Sequence, residues 1–126
     1  AYLARGQAAQ AVNLLDDVVA RQPSLPLALA VRAEAHYRLG DTAAAARDAA
    51  AVLEGDWAGD TPALDASLEH SHAVHGATLL IAGDAAGAMA DAEQALTASP
   101  AAALAHAVRG GARLAQGEMA EASPWR

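Results

Sequence analysis

Cysteine, lysine and phenylalanine are all missing from these 126 residues. Without cysteine there is no disulfide framework, no thiolate metal ligand and no cysteine nucleophile, and the redox compartment stays open. Without lysine there is no phosphate-gripping P-loop. No serine sits in a Gly-x-Ser-x-Gly elbow, and the carboxylates have no obvious acid/base partner in an apolar stretch. Catalysis, and a cofactor to serve it, is therefore not expected. No stretch approaches 18 uninterrupted apolar residues, so no membrane span or insertion is expected. The N-terminus AYLARGQ has neither a starting methionine nor a signal-peptide pattern. It reads as a mid-protein or mature start, and the ending Pro124-Trp125-Arg126 as a second cut. A soluble protein is expected, the cytoplasm favoured over the periplasm.

What is abundant is alanine, which makes up much of the 54% hydrophobic content. Alanine is the best helix former but buries little area, and β-branched residues are too few to support strands. The expected fold is all-α, with closely packed helices and small contacts.

The formal charge is −7, which argues against nucleic acid, whose phosphates need a basic surface. Between Arg47 and Arg109 there is no arginine or lysine, while Asp48, Glu54, Asp56, Asp60, Asp65, Glu69, Asp84, Asp91 and Glu93 all lie there. Such a stretch would steer a basic partner, but scattered acid is more ordinarily a solvated helix face. The exclusive use of arginine reads as genome composition, of a bacterial kind.

An internal repeat organises the chain. Gly6-Gln7, Gly40-Asp41, Gly83-Asp84 and Gly117-Glu118 recur with glycines 34, 43 and 34 residues apart. A glycine that adopts the left-handed conformation, followed by a polar residue, suits a hairpin turn between helices. An apolar residue precedes each pair closely (Leu3, Leu39, Ile81, Leu114 or Ala115), and alanine follows each glycine by five residues, at Ala11, Ala45, Ala88 and Ala122. The second helices end on Val18-Val19, Val52-Leu53 and Ala95-Leu96, with Pro23 and Pro100 as stops.

This unit resembles the tetratricopeptide repeat, a 34-residue helix–turn–helix. The segment around Gly76, Gly83-Asp84, Ala88, Ala95-Leu96 and Pro100 matches best. The preceding unit carries Ala33 for the first glycine and Trp57 for the proline. Leu29, His72 and His106 stand where the family has a large aromatic, and Ala49 and Ala92 where it has a large residue. The resemblance implies a right-handed superhelical solenoid of antiparallel hairpins spanning 1–126, with units at about 1–24, 25–57, 62–101 and 102–126, the outer two incomplete. Helices are expected over about 1–5, 8–21, 25–39, 42–54, 62–82, 85–98, 102–116 and from 118. Ser24 is a candidate N-cap, as is Thr61 before Pro62. The nine surplus residues fall in the turn-rich stretch EGDWAGDTPALD, where Trp57 reads as a plug between hairpins, with a partner hot spot as the alternative.

The family lines a concave groove with its first helices. Carried over in the Gly-Asp register, the groove positions are Leu27, Ala30, Glu34, Tyr37 and Arg38; His70, Ala73, Ala77, Leu80 and Ile81; and Leu104, Ala107, Gly111, Leu114 and Ala115. With Arg38 its only cation, this groove would not clamp a carboxylate. An apolar extended segment or amphipathic helix of a protein partner suits it, anchored by Tyr37, Leu80 and Leu114. Packing of these side chains between helices is the other account. Asp65, Glu69 and His72 share one helical face at spacings of four and three, with His75 at its edge, a spacing that can hold zinc, but His72 recurs one repeat later as His106, which points to packing, and no metal is expected. The function implied is a protein-interaction scaffold. The alternatives are a self-assembly module or a regulatory segment of a larger enzyme or transcription regulator.

Overall fold

The computed structural model describes residues 2–22, 25–57, 61–99 and 102–121, and the side chains of 2–5 and 118–121 are not described. Among the described residues the chain is all-α, with six helices. These are α1 Tyr2–Arg21, α2 Pro26–Arg38, α3 Thr42–Glu54, α4 Pro62–Ile81, α5 Ala85–Ala98 and α6 Ala103–Glu121.

Two turns are built alike, from glycine followed by aspartate. Gly40 and Gly83 have φ of +83° and +92°. The Asp41 N–H donates to the His36 carbonyl and Gly40 N–H to Tyr37, while Asp84 N–H donates to Leu79 and Gly83 N–H to Leu80. These are the paired bonds that close a helix through a left-handed residue. The aspartate then starts the next helix: Asp41 accepts from Ala44 N–H at 3.1 Å and Asp84 from Gly87 N–H at 2.9 Å. Thr61 caps α4 through Leu64 N–H at 3.1 Å, with Pro62 at the first helical position. The N-cap of α2 is Leu25, without a side-chain bond. Ser24, Pro23, Pro100 and Ala122 lie outside the described residues.

The other two glycine pairs make no turn. α1 runs unbroken through Gly6-Gln7 and α6 through Gly117-Glu118, which corrects the expected helix breaks there. Glutamine and glutamate lack the short side chain with which aspartate caps a helix start. Glycine within a helix costs only about 1 kcal/mol, too little by itself to force a break.

Each helix packs on its chain neighbours, and α4 also touches α2 and α6. Neither α1 and α3 nor α3 and α5 touch among the described residues. The core is correspondingly thin and serial. Ala33 of α2, Ala45 and Ala49 of α3 and Val74 of α4 form one cluster. Ala77 of α4, Ala85, Ala88 and Ala92 of α5 and Val108 and Ala112 of α6 form the next. Val52 and Val74 are the largest fully buried side chains, so attraction comes from closely approaching backbones rather than bulky groups. At Gly76 a Cβ would stand 3.1 Å from the Asp91 Cβ and 3.2 Å from the Ala88 carbonyl oxygen. Trp57 packs on a cluster of Leu29, Ala30 and Val52 together with Val19 and Leu68, joining both hairpins.

The glycines separate into testable classes. Gly117→Ala should stabilise by about 0.5–1 kcal/mol, as expected within a helix, because nothing lies within 4 Å of its added Cβ. Gly40→Ala should destabilise by about 1–2 kcal/mol, since it forces a Cβ into the left-handed region. Urea unfolding of both variants reads this directly. Destabilisation of the same sign by Gly117→Ala would place a turn there.

Candidate functional site

Polar cross-links occupy one repeated position in each hairpin. Arg32 and His75 stand eight residues before Gly40 and Gly83, and Asp48 and Asp91 eight residues after them. The Arg32 guanidinium donates through Nε to Asp48 Oδ2 at 2.7 Å and through Nη2 to Oδ1 at 2.8 Å, a bidentate pair between α2 and α3. Its Nη1 also reaches Asp16 of α1 at 3.1 Å. The hydrogen bond to Asp48 raises the Arg32 pKa further above its ordinary value, so the guanidinium keeps its charge at every accessible pH.

In the second hairpin two histidines replace the arginine. His72 Nδ1–H donates to Asp91 Oδ1 at 3.0 Å and His75 Nδ1–H to Oδ2 at 2.5 Å. Burial pushes the Asp91 carboxyl up, but the hydrogen bonds from His72 and His75 outweigh it and hold the group below its ordinary 3.8. Asp65, Glu69 and His72 do border one cleft of about 390 Å³, with Leu68, Gln94 and Thr97. No group of three or more His, Cys, Asp or Glu suited to a metal ion occurs among the described residues. His72 is thus held by a carboxylate, while His106 is exposed, with Arg109 Nη2 donating to its Nδ1 at 3.2 Å. The two histidines share a repeat position but not an environment, because no helix covers that face of α6 among the described residues.

The expected groove residues divide into three sets. Ala30, Ala73 and Ala77 are buried between helices, which corrects their placement on a groove surface: α2, α4 and α6 meet in series through these small residues. Tyr37, Leu80 and Leu104 are half-buried against the same core cluster, so the expected anchors Tyr37 and Leu80 are in good part inter-helix packing. Leu80 also fills the space over Gly111, 2.7 Å from where a Cβ would sit. Leu27, Arg38, Ile81, Ala107 and Leu114 are exposed, and Ala115 is half-buried. Between α2 and α4, Glu34 pairs with Arg38 at 3.0 Å and lies 4.0 Å from His70.

Outside the expected positions, a cleft of about 480 Å³ opens between the starts of α2 and α4. Leu25, Pro26, Leu27, Ala63 and Leu64 line it, with Trp57 as one wall and Asp56, Thr61 and Ser67 as the polar contributors. The Trp57 indole is fixed by its Nε1–H, which donates to the Val52 carbonyl at 2.8 Å. Of the expected groove positions Leu27 lies here, beside Trp57, whose alternative reading was a partner hot spot. The turn-rich surplus around Trp57 was the sequence signal, but a helical register could not place a cleft made by an irregular connection. Among the described residues no helix is long and apolar enough to cross a membrane. No family model, no curated protein and no solved structure matches the chain.

The histidine–carboxylate cluster has a defined pH dependence. The folded-state pKa of Asp91 lies below its unfolded value, so the stabilisation is present above the unfolded value and lost as pH falls through the folded one. Asp91→Asn should destabilise by about 1.5–3 kcal/mol near pH 7, the usual worth of hydrogen bonds to a charged group. The deficit should shrink below the ordinary carboxylate value of 3.8. Thermal melts at pH 7 and pH 3 test this, and an equal deficit at both would remove the charge from the account.

Proposed function

We propose that the chain is a protein-interaction module, built as a tetratricopeptide-like right-handed superhelical array, that takes an apolar segment of a partner protein beside Trp57. The observation that carries this reading is the cleft of about 480 Å³ with three leucines and a fixed tryptophan around it. Its size and lining suit apolar side chains with a few polar groups to orient them. A rigid aromatic wall is the kind of surface on which binding energy concentrates. Leu27 links the cleft to the row formed by Glu34, Arg38 and His70 on α2 and α4, whose mixed charges would line the polar edge of an amphipathic helix. In this reading the chain is not an enzyme, and His72, His75 and Asp91 serve as a cross-link between helices.

The test uses Trp57 as reporter, with Trp125→Tyr removing the second of the two tryptophans. A leucine-rich amphipathic peptide should shift Trp57 emission, and Leu64→Asp should abolish the response while leaving far-UV helical content unchanged. A peptide that binds with no response from Trp57, or binding that survives Leu64→Asp, would move the site elsewhere.

A further inference from the structure

Helix α3 ends differently from its neighbours. The carboxyl ends of α2, α4 and α5 are each met by the backbone N–H of the next residue, at Leu39, Ala82 and Ser99. Gly55, at the end of α3, is extended instead, with φ −70° and ψ 149°. The Trp57 side chain takes over that role, its Nε1–H donating to the Val52 carbonyl at 2.8 Å. The indole lies against Gly55, where an added Cβ would stand 2.5 Å from the ring Cε2 and 2.7 Å from Cζ2. One wall of the Trp57 cleft is thus also the cap of a helix terminus.

A carboxyl terminus of a helix is the negative end of its dipole, which a cation stabilises and an anion destabilises. α1 ends with Arg21 and α2 with His36 and Arg38, but the last turn of α3 has no basic residue. It ends on Glu54, and Asp56 follows. Both side chains are exposed, and among the described residues neither has a hydrogen bond or ion pair. The chain offers no arginine or lysine between Arg47 and Arg109. Across the cleft, Arg21 is already engaged with Asp17 at 3.2 Å. Among the described residues Asp56 is the one charged group that lines the cleft. An apolar pocket therefore adjoins a negative corner that nothing described in the molecule neutralises.

We infer that the partner segment seated beside Trp57 carries an arginine or lysine next to its apolar residue, held by Asp56 at the carboxyl end of α3. This rests on the reading of the cleft as a protein-docking site and adds the charge of the partner. The leucines and Trp57 take the apolar side chain, and Asp56 is left at the edge for a group that stays in water. Arginine and lysine suit that edge, because their methylene stems cover apolar surface while the charged head remains at the rim. A rim charge of this kind contributes selectivity and association rate more than affinity. An acidic segment would meet Glu54, Asp56 and the helix dipole together, so the same corner rejects it.

Titration of three peptides into the Trp125→Tyr protein, read by Trp57 emission, tests the inference. The peptides share one leucine-rich face and differ in the residue that flanks it: arginine, glutamine or glutamate. The arginine peptide should bind about three- to tenfold more tightly than the glutamine peptide, the combined scale of an exposed ion pair and a helix terminus. The glutamate peptide should bind more weakly than both. In about 1 M NaCl, where charges are screened beyond about 3 Å, the three should converge. Asp56→Asn should cut the arginine preference to about twofold or less. Glu93→Gln, which removes one exposed charge from α5, should leave it intact. Equal binding of the arginine and glutamine peptides would overturn this inference and leave the docking site standing. Survival of the preference in Asp56→Asn, or its loss in Glu93→Gln, would also overturn it, by assigning the attraction to the net charge of −7 rather than to this corner. No response to any of the peptides would remove the docking site and this inference with it.

Discussion

Close approach between helix backbones is the constraint on which this structure depends. Buried alanines outnumber every other core residue, and the largest fully buried side chains are two valines. Transfer from water scales with apolar area, so each alanine contributes little. Dispersion between tightly apposed helices has to supply the rest, and it falls steeply with small gaps. Gly76 marks one such close contact, where backbone and side-chain atoms of α5 leave little room for a Cβ. Such a core is short-ranged by nature. It ties each helix to the next few elements.

The polar cross-links complement that thin core. Arg32 with Asp48, and His72 and His75 with Asp91, join the two helices of a hairpin at one repeated position. Partly buried ion pairs contribute little net stability once desolvation is counted, but leaving one partner buried and unpaired is costly. In a surface of near-identical alanines, sliding one helix along another would cost little in apolar area. A bidentate guanidinium–carboxylate pair has one good geometry and so selects the register that alanine leaves loosely specified.

Much of the architecture was legible in the residues. Gly40-Asp41 and Gly83-Asp84 mark turns because a left-handed glycine and a short carboxylate cap act at adjacent positions. Thr61-Pro62 marks the start of α4 by equally local rules. Gly6-Gln7 and Gly117-Glu118 have the glycine without the cap, and the helices run on through them. The groove was less legible. A register error of one residue turns a helix by 100°, enough to exchange surface for interior, and Ala73 and Ala77 are interior. The cleft beside Trp57 could not be seen in a helical period at all, because the irregular link between α3 and α4 makes one of its walls.

What the sequence determined by itself was local: an all-helical chain, the two Gly-Asp turns and the start of α4. These follow from short-range sterics and hydrogen bonding, which a few neighbouring residues specify completely. Only the tertiary structure decided which equivalent positions are covered. Val31 and Val74, Gly76 and Gly110, and His72 and His106 are matched in sequence and differ in burial, because exposure depends on whether another helix lies alongside. That neighbour comes from elsewhere in the chain, and no property of the residue itself records it.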